Sequence, residues 1–261
     1  MTTIEIFSLT LTLTVLLMFT AWIWALKIEN FGIVDAFWSF GFLIHALIFY
    51  FLTDGDITRK TLMLVMIGVW SFRLGCFLTV RIAGHHPAED TRYTKLREEY
   101  GQYYKKRFLI LFLYQALSIS FLTLPFIFVF KNNSLKINPL EIIGFIVWFL
   151  ALAGESVSDY QMNIFKAEPK NKGRVCNIGL WNYSRHPNYF FESCIWWGFF
   201  IFMLGTEGLM WSVYAPLTIL GLLFYVTGVP PSEAQSIKSR GDLYREYQKR
   251  TSVFVPWFKK K

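Results

Sequence analysis

The chain has 261 residues, 54% of them hydrophobic and 19% aromatic, with a formal net charge of +8. Soluble domains rarely carry so much apolar surface, and no Pro-, Gly- or Ser-rich linker divides the pattern, so the composition predicts a single multi-pass membrane domain. The cysteines Cys76, Cys176 and Cys194 are odd in number and form no CxxC pair, which excludes a disulfide framework and a zinc site.

Apolar runs of spanning length recur about seven times, near 6–26, 32–52, 61–82, 109–130, 141–160, 190–205 and 209–229. The first has no basic flank and no small-residue cleavage site, so it is expected to be a retained span and not a signal peptide. The predicted fold is an all-α multi-pass bundle of about seven transmembrane helices, with cytoplasmic loops and a C-terminal interfacial helix. Of the 26 lysines and arginines, 21 fall at Lys27 and in 81–108, 161–188 and 230–261; Arg59, Lys60, Lys131 and Lys136 fall in the opposite loops. That bias predicts an outside N-terminus and a cytoplasmic C-terminus, in a bacterial inner membrane. The positive charge therefore points to membrane lipids or a phosphate-rich ligand, and not to nucleic acid. Lys259, Lys260 and Lys261, following Trp257 and Phe258, suit a lipid surface.

In chain order, the second span opens IVDAFWSFG, which sets Asp35 about one turn inside the bilayer with Trp38 and Ser39 beside it. A carboxyl held there without a counter-charge is pushed toward its neutral form, which donates a hydrogen bond. The third span contains VWSFRLG. Arg73 cannot shed its proton and needs an anion: Asp35, Asp159, Glu192 or a cofactor phosphate. Arg81 follows at the inner edge. In the next loop, Glu89, Asp90, Arg92 and Tyr93 form a compact polar group beyond Pro87, ahead of a surface helix of mixed charge. His85 and His86 are adjacent and point apart, so no metal is expected there.

The fifth span ends AGESVSDYQMNIFK, where Glu155 and Asp159 share one helix face, continued by Asn163 and Lys166. Two carboxylates so spaced repel, and Lys166, Arg174 or Arg185 is expected to offset them. The densest stretch is GRVCNIGLWNYSRHPNYFFE, 173–192. Pro187 fits the first turn of a helix, where its missing N–H costs nothing, and this puts Asn188 and Glu192 on one face as the chain enters the bilayer. Intramembrane ionisable groups are costly and usually functional. The last span ends at Pro230-Pro231, and an amphipathic tail helix through Ile237, Leu243 and Tyr247 either anchors at the interface or closes the cavity from below. Together, Asp35, Arg73, Arg81, Arg92, Asp159, Lys166, Arg174, Arg185, His186, Asn188 and Glu192 fall at or just inside the cytoplasmic edge. So many cations suit a large, multiply charged cofactor from the cytoplasm and an apolar substrate from the bilayer. No GxGxxG, GxxxxGK[ST] or GxSxG is present, so a dinucleotide would bind between helices.

The GLWNYSRHPNYFFE segment, the Trp-rich span after it and the YREYQKRTSVFVPWF ending resemble the steroid 5-alpha-reductase family, in its bacterial branch once labelled only as a domain of unknown function. IVDAFWSFGF, WSFRLG and the DTRY loop are similar to that branch as well. The resemblance covers nearly the whole chain. It implies a seven-helix membrane reductase that uses NADPH to saturate a C=C bond conjugated to a ketone, with an enone lipid such as a 3-oxo-4-ene steroid as substrate. It implies a substrate and acid half over 1–108 and a cofactor half over 141–261. Asn188 and Glu192 match positions holding the nicotinamide; Asp159, Tyr183, Arg73 and Lys166 match further cofactor contacts. Arg81, Arg92, Arg174, Arg185 and His186 complete the expected cofactor set. Asp35 aligns within one position with the carboxylate that polarises the ketone. Trp70 stands where the animal enzymes have a tyrosine and cannot donate a proton to an enolate. Either Asp35 acts alone, Tyr93 serves, or the substrate differs; Trp38 and Trp70 are then expected against the substrate. RHPNY and EYQKR also resemble the isoprenylcysteine carboxyl methyltransferases, whose S-adenosylmethionine carries no phosphate and would leave Arg73, Arg81, Lys166 and Arg174 surplus. A transporter would show inverted repeats, and none is visible. Nothing in the sequence calls for a protein partner.

Overall fold

The computed structural model describes residues 1–259; Lys260 and Lys261 of the expected basic run, and the side chain of His85, lie outside it. Among the described residues there is no strand, only an isolated bridge between Ser184 and Ser252. The chain divides into two compact units, Met1–Ile137 and Asn138–Lys261, each taken by itself.

The N-terminal unit holds α1 (Thr3–Ile28), α2 (Ile33–Leu52), α3 (Ile57–His85), α4 (Thr91–Tyr100), α5 (Tyr104–Thr123) and α6 (Phe126–Phe130). Helix α1 starts at a capping box in which Glu5 N donates to Thr2 Oγ1 at 3.2 Å and Thr2 N donates to Glu5 Oε2 at 2.9 Å. It stops at Glu29, whose φ of 53° turns the chain toward α2. Helices α1, α2 and α5 meet at His45, which is fully buried, with Nε2 at 2.5 Å from Thr14 Oγ1 and Nδ1 at 2.7 Å from Thr123 Oγ1. Helix α3 presents Gly75 to the ring of Phe40, where any side chain would collide. The turns at the far end of the unit close on Arg59, only 1% exposed, which donates to the carbonyls of Asn132, Ser134 and Lys136. A buried guanidinium is tolerable there because these backbone carbonyls meet its N–H groups.

The C-terminal unit holds α7 (Pro139–Ala167), α8 (Pro187–Met203), α9 (Tyr214–Gly221), α10 (Val229–Arg240) and α11 (Asp242–Arg250). Helix α7 begins at another capping box, Asn138 with Glu141, with Pro139 in the first turn. Helix α8 runs back along α7 in close contact. Gly144 abuts the Phe202 backbone and Gly198 abuts that of Trp148, the small-residue contact by which membrane helices approach closely. Pro187 opens α8 as the sequence predicts. After α9 the last apolar run widens into a π-type turn, Leu222–Val226, with Thr227 N donating to Leu222 O at 2.8 Å.

Among the described residues, six helices are long and apolar enough to cross a membrane: Thr3–Ile28, Ile33–Leu52, Ile57–Gly84, Thr91–Thr123, Pro139–Ala167 and Leu209–Arg240. The seventh expected span is α8, equally apolar but only 17 residues long, or about 25 Å at helical rise. The fold is thus the expected all-helical multi-pass type, with six helices of spanning length and one shorter companion. The tail helix breaks in two at Gly241, φ 54°. Its inward face is Tyr244 and Tyr247, both buried, while Leu243 is 61% exposed and not on the inner face expected of it.

Candidate functional site

In the N-terminal unit the polar group of the 81–97 region is folded onto the first turn of α2. Asp90 caps α4, accepting from Arg92 N at 3.0 Å, and it also receives the side chains of Arg92 and Arg81. Burial alone would raise the Asp90 carboxyl, but the Arg92 and Arg81 guanidiniums outweigh this and hold it below its usual value. Capping fixes the first turn of α4, and that turn carries Arg92 and Tyr93 to Asp35. Arg92 Nη2 donates to Asp35 Oδ2 at 2.9 Å, and the Tyr93 hydroxyl donates to Asp35 Oδ1 at 2.6 Å. Tyr93 is 6% exposed.

This overturns one expectation about Asp35. It is not the carboxyl without a counter-charge that its place in an apolar helix suggests: one oxygen is met by Arg92 and the other by Tyr93. Its partners here are Arg92 and Tyr93, both carried by α4. The nearby aromatics are packed more tightly than expected of a substrate wall. Trp70 is fully buried, edge-on to Phe42 at 5.1 Å and to Trp38 at 6.4 Å. Trp38 spends its indole N–H on Ser118 Oγ at 2.9 Å.

In the C-terminal unit the segment 178–186 lies across the end of α7. Trp181 Nε1 donates to Ser158 O at 2.9 Å, and Leu180 N donates to Gln161 Oε1 at 2.9 Å. Gly179 sits against the Gln161 side chain with φ 51°, a place for glycine alone. The α7–α8 register set by the glycine contacts, continued along the pair, brings Asp159 level with Pro187 and Asn188, and Glu155 level with Phe190 and Phe191. Glu155 and Asp159 are both buried, at 4% and 8% exposure. Glu192 Oε1 accepts from Trp196 Nε1 at 3.0 Å. Asn188 Oδ1 is buried and accepts no hydrogen bond from the described residues. Lys166, Arg174 and Tyr183 are exposed at the same end of the unit.

Arg185 and His186 are placed differently from a pair of free phosphate ligands. Arg185 Nε donates to Glu233 Oε1 at 2.6 Å, and its Nη1 donates to the carbonyls of Gln248 and Thr251 at 2.9 and 2.8 Å. His186, 3% exposed, has Nε2 at 3.4 Å from the same carboxylate oxygen and stacks on Tyr189. Gln248 Nε2 holds the other oxygen of Glu233 at 2.8 Å. The tail is bolted on by three further bonds: Ser184 Oγ to Phe254 O at 2.6 Å, Arg185 N to Ser252 O at 2.8 Å, and Trp257 N to Tyr183 O at 3.0 Å. Arg185 thus clamps the RHPN segment to α10, α11 and the tail. Sequence reasoning missed Glu233 and Gln248. The one available signal was a carboxylate just past Pro230-Pro231, with no pattern to pair it with Arg185. Among the described residues no group of three or more His, Cys, Asp or Glu could hold a metal.

Fold and site together define a helical multi-pass membrane protein in which each unit gathers a cluster of the polar residues singled out from the sequence. The chain belongs to the DUF1295 family, described as a protein of unknown function, whose pattern matches residues 21–251. It is similar to an uncharacterized protein of Schizosaccharomyces pombe, 27% identical over 264 residues, covering 90% of this chain and 75% of that protein. A shorter stretch is similar to a probable O-methyltransferase, ustE, of Ustilaginoidea virens, 40% identical over 52 residues, or 20% of this chain and 18% of that protein. No solved structure matches the chain.

Proposed function

We propose that the protein is a membrane-embedded, NADPH-dependent reductase that saturates the C=C bond of an enone lipid, a 3-oxo-4-ene steroid being the first candidate. The observation that carries this reading is the Tyr93 phenol, held at 2.6 Å on Asp35 beside the Arg92 guanidinium. An enone reduced at its β carbon accumulates negative charge on the ketone oxygen, and a fixed phenol and a cation are what stabilise such charge. Tyr93 is the proton donor and Arg92 the counter-charge. Asp35 orients both, and when a ketone oxygen takes up the Tyr93 hydrogen bond, Asp35 keeps its bond to Arg92. The α carbon then takes its proton from water as the enol O–H returns its proton to the Tyr93 phenolate, which restores both the ketone and the phenol.

The residues of the C-terminal unit fit a cofactor with a carboxamide. The buried Asn188 Oδ1 is an acceptor awaiting an N–H donor, a carboxamide N–H supplies one, and leaving such an acceptor unmet costs about 1–3 kcal/mol. Asn188 and Glu192 would hold that end of NADPH, with Asp159, Tyr183, Lys166 and Arg174 toward its ribose and phosphates. When bound, the cofactor supplies a hydride. The Arg185–His186–Glu233 clamp keeps the first turn of α8, and Asn188 with it, in one orientation.

A second reading is methyl transfer from S-adenosylmethionine, favoured by the 52-residue similarity to a probable O-methyltransferase. Thermal midpoints in mild detergent separate the two. A ligand of the native state stabilises it by about 2.7 kcal/mol at a hundredfold over its dissociation constant. The reductase reading expects NADPH to raise the midpoint of the wild type but not of Asn188→Ala or Glu192→Ala. A shift with S-adenosylmethionine alone would move the assignment to methyl transfer.

A further inference from the structure

One turn along α4 from Tyr93, the last turn of α1 and the first turn of α5 share a notch of about 110 Å³ lined by Leu26, Glu29, Phe31, Arg97, Tyr104 and Lys105. Helix α1 is apolar enough to cross a bilayer, so its last turn marks a boundary, and the apolar run of α5 begins just past Lys105, Lys106 and Arg107. Trp22 Nε1 donates to Lys105 O at 3.0 Å and holds the two ends level. Trp24 and Tyr103 flank the notch, 52% and 64% exposed, as aromatic side chains do at the headgroup layer.

The charges inside the notch are held but unspent. Arg97 Nη2 donates to Glu89 Oε2 and to Glu29 O, both at 2.9 Å, and the guanidinium lies over the rings of Phe31 and Tyr104 at 5.1 and 5.4 Å. Its Nε and Nη1 donate to nothing among the described residues. The Lys105 ammonium lies 5.9 Å from the centre of the Tyr104 ring. The Glu29 carboxylate makes no ion pair among the described residues, although it lines the same notch as Lys105. A small polar cavity lined by two cations and by a carboxylate that makes no ion pair among the described residues is complementary to a zwitterion. A purely anionic ligand would meet Glu29 as a like charge.

We propose that this notch seats the headgroup of a phosphatidylethanolamine, with its phosphate on Arg97 and Lys105 and its primary ammonium on Glu29. The diacylglycerol lies along α1 beyond Leu26. A primary ammonium donates charge-assisted hydrogen bonds to a carboxylate, and the quaternary nitrogen of choline cannot.

The test uses the full-length protein, delipidated in mild detergent. Its thermal midpoint is followed against phosphatidylethanolamine, phosphatidylglycerol and phosphatidylcholine of identical chains, and against soluble phosphoethanolamine. The wild type should respond at the lowest concentration to phosphatidylethanolamine. Lys105→Gln should raise the half-saturating concentration of both phosphatidylethanolamine and phosphatidylglycerol about tenfold, the effect of about 1.4 kcal/mol. Glu29→Gln should abolish the preference for phosphatidylethanolamine over phosphatidylglycerol. Both side chains are exposed, so both variants should match the wild type without lipid. Equal responses to the three lipids, or an unchanged preference in Glu29→Gln, would overturn the proposal. So would a response to phosphoethanolamine as strong as that to the lipid, which would make the ligand a soluble one.

Discussion

Tyr93 is the residue on which the chemistry turns. Its hydroxyl is the one donor on Asp35 that can also serve a substrate oxygen, since Arg92 is held in addition by Asp90. Tyr93→Phe removes a hydroxyl and leaves the ring packed against Gly32. Turnover is expected to fall by about a hundredfold or more, with the NADPH-induced midpoint shift unchanged; a loss of both would mean that Tyr93 serves folding and not proton donation. Asp90 gives a pH effect of known sign. Its folded-state carboxyl is held below the usual value of 3.8. The stability it contributes is therefore complete above that unfolded-state value and is lost as pH falls through the lower folded one. Asparagine caps a helix as well as aspartate does, so Asp90→Asn isolates the charge. The variant should lose about 1 kcal/mol at neutral pH and show a flatter acid limb in its midpoint-against-pH curve. At this scale the sequence revealed which side chains were out of place in an apolar chain, Asp35, Asn188 and Glu192 among them. It could not reveal their partners. Whether Asp35 finds Arg73 or Arg92 depends on where α4 lands, and that depends on the Asp90 cap. The Arg185–Glu233 pair spans 48 positions, and no local pattern joins them.

Among the elements, α7 and α8 depend on glycine. A Cβ on Gly198 would stand 2.7 Å from Trp148 N and 2.8 Å from its Cα, and backbone atoms cannot yield as a flexible side chain can. Gly198→Ala should force the helices apart and cost about 1–3 kcal/mol, the range for overpacking. Gly84→Ala, within α3 and with nothing within 4 Å of the new methyl, should be neutral or slightly stabilising. Comparing the two midpoints checks the claim, and equal effects would refute close contact at Gly198. Hydropathy located α1, α2, α3, α5 and α7 well, because burial in lipid demands continuous apolar length. It placed the other elements less well, since those depend on geometry. The expected run at 109–130 breaks before Pro125 into α5 and α6, the last run opens into a π-type turn, and the tail helix breaks at a left-handed Gly241.

For the whole molecule, orientation follows from how the cations are used. Arg59, Lys60 and Lys131, on the predicted outer side, donate to carbonyls or a hydroxyl within the N-terminal unit. Lys105, Lys106 and Arg107 on the other side are exposed. The exposed charge is thus more one-sided than the sequence count, and under the positive-inside rule we propose a cytoplasmic C-terminus. A cysteine introduced at Asp242 should react with a membrane-impermeant maleimide only in inside-out vesicles, and one at Leu135 only in right-side-out vesicles. The reverse pattern would invert the topology, and labelling of both from one side would mean that the number of crossings between them is even.

The most direct measurement follows the hydride. The purified protein would be incubated with an enone lipid and NADPH deuterated at the transferable C4 position, and the product read by mass spectrometry. The reductase account expects one deuterium at the former β carbon of a saturated ketone, with product formation strongly reduced in Tyr93→Phe. NADPH left unoxidised, together with a methyl group passed from S-adenosylmethionine to a lipid acceptor, would contradict it.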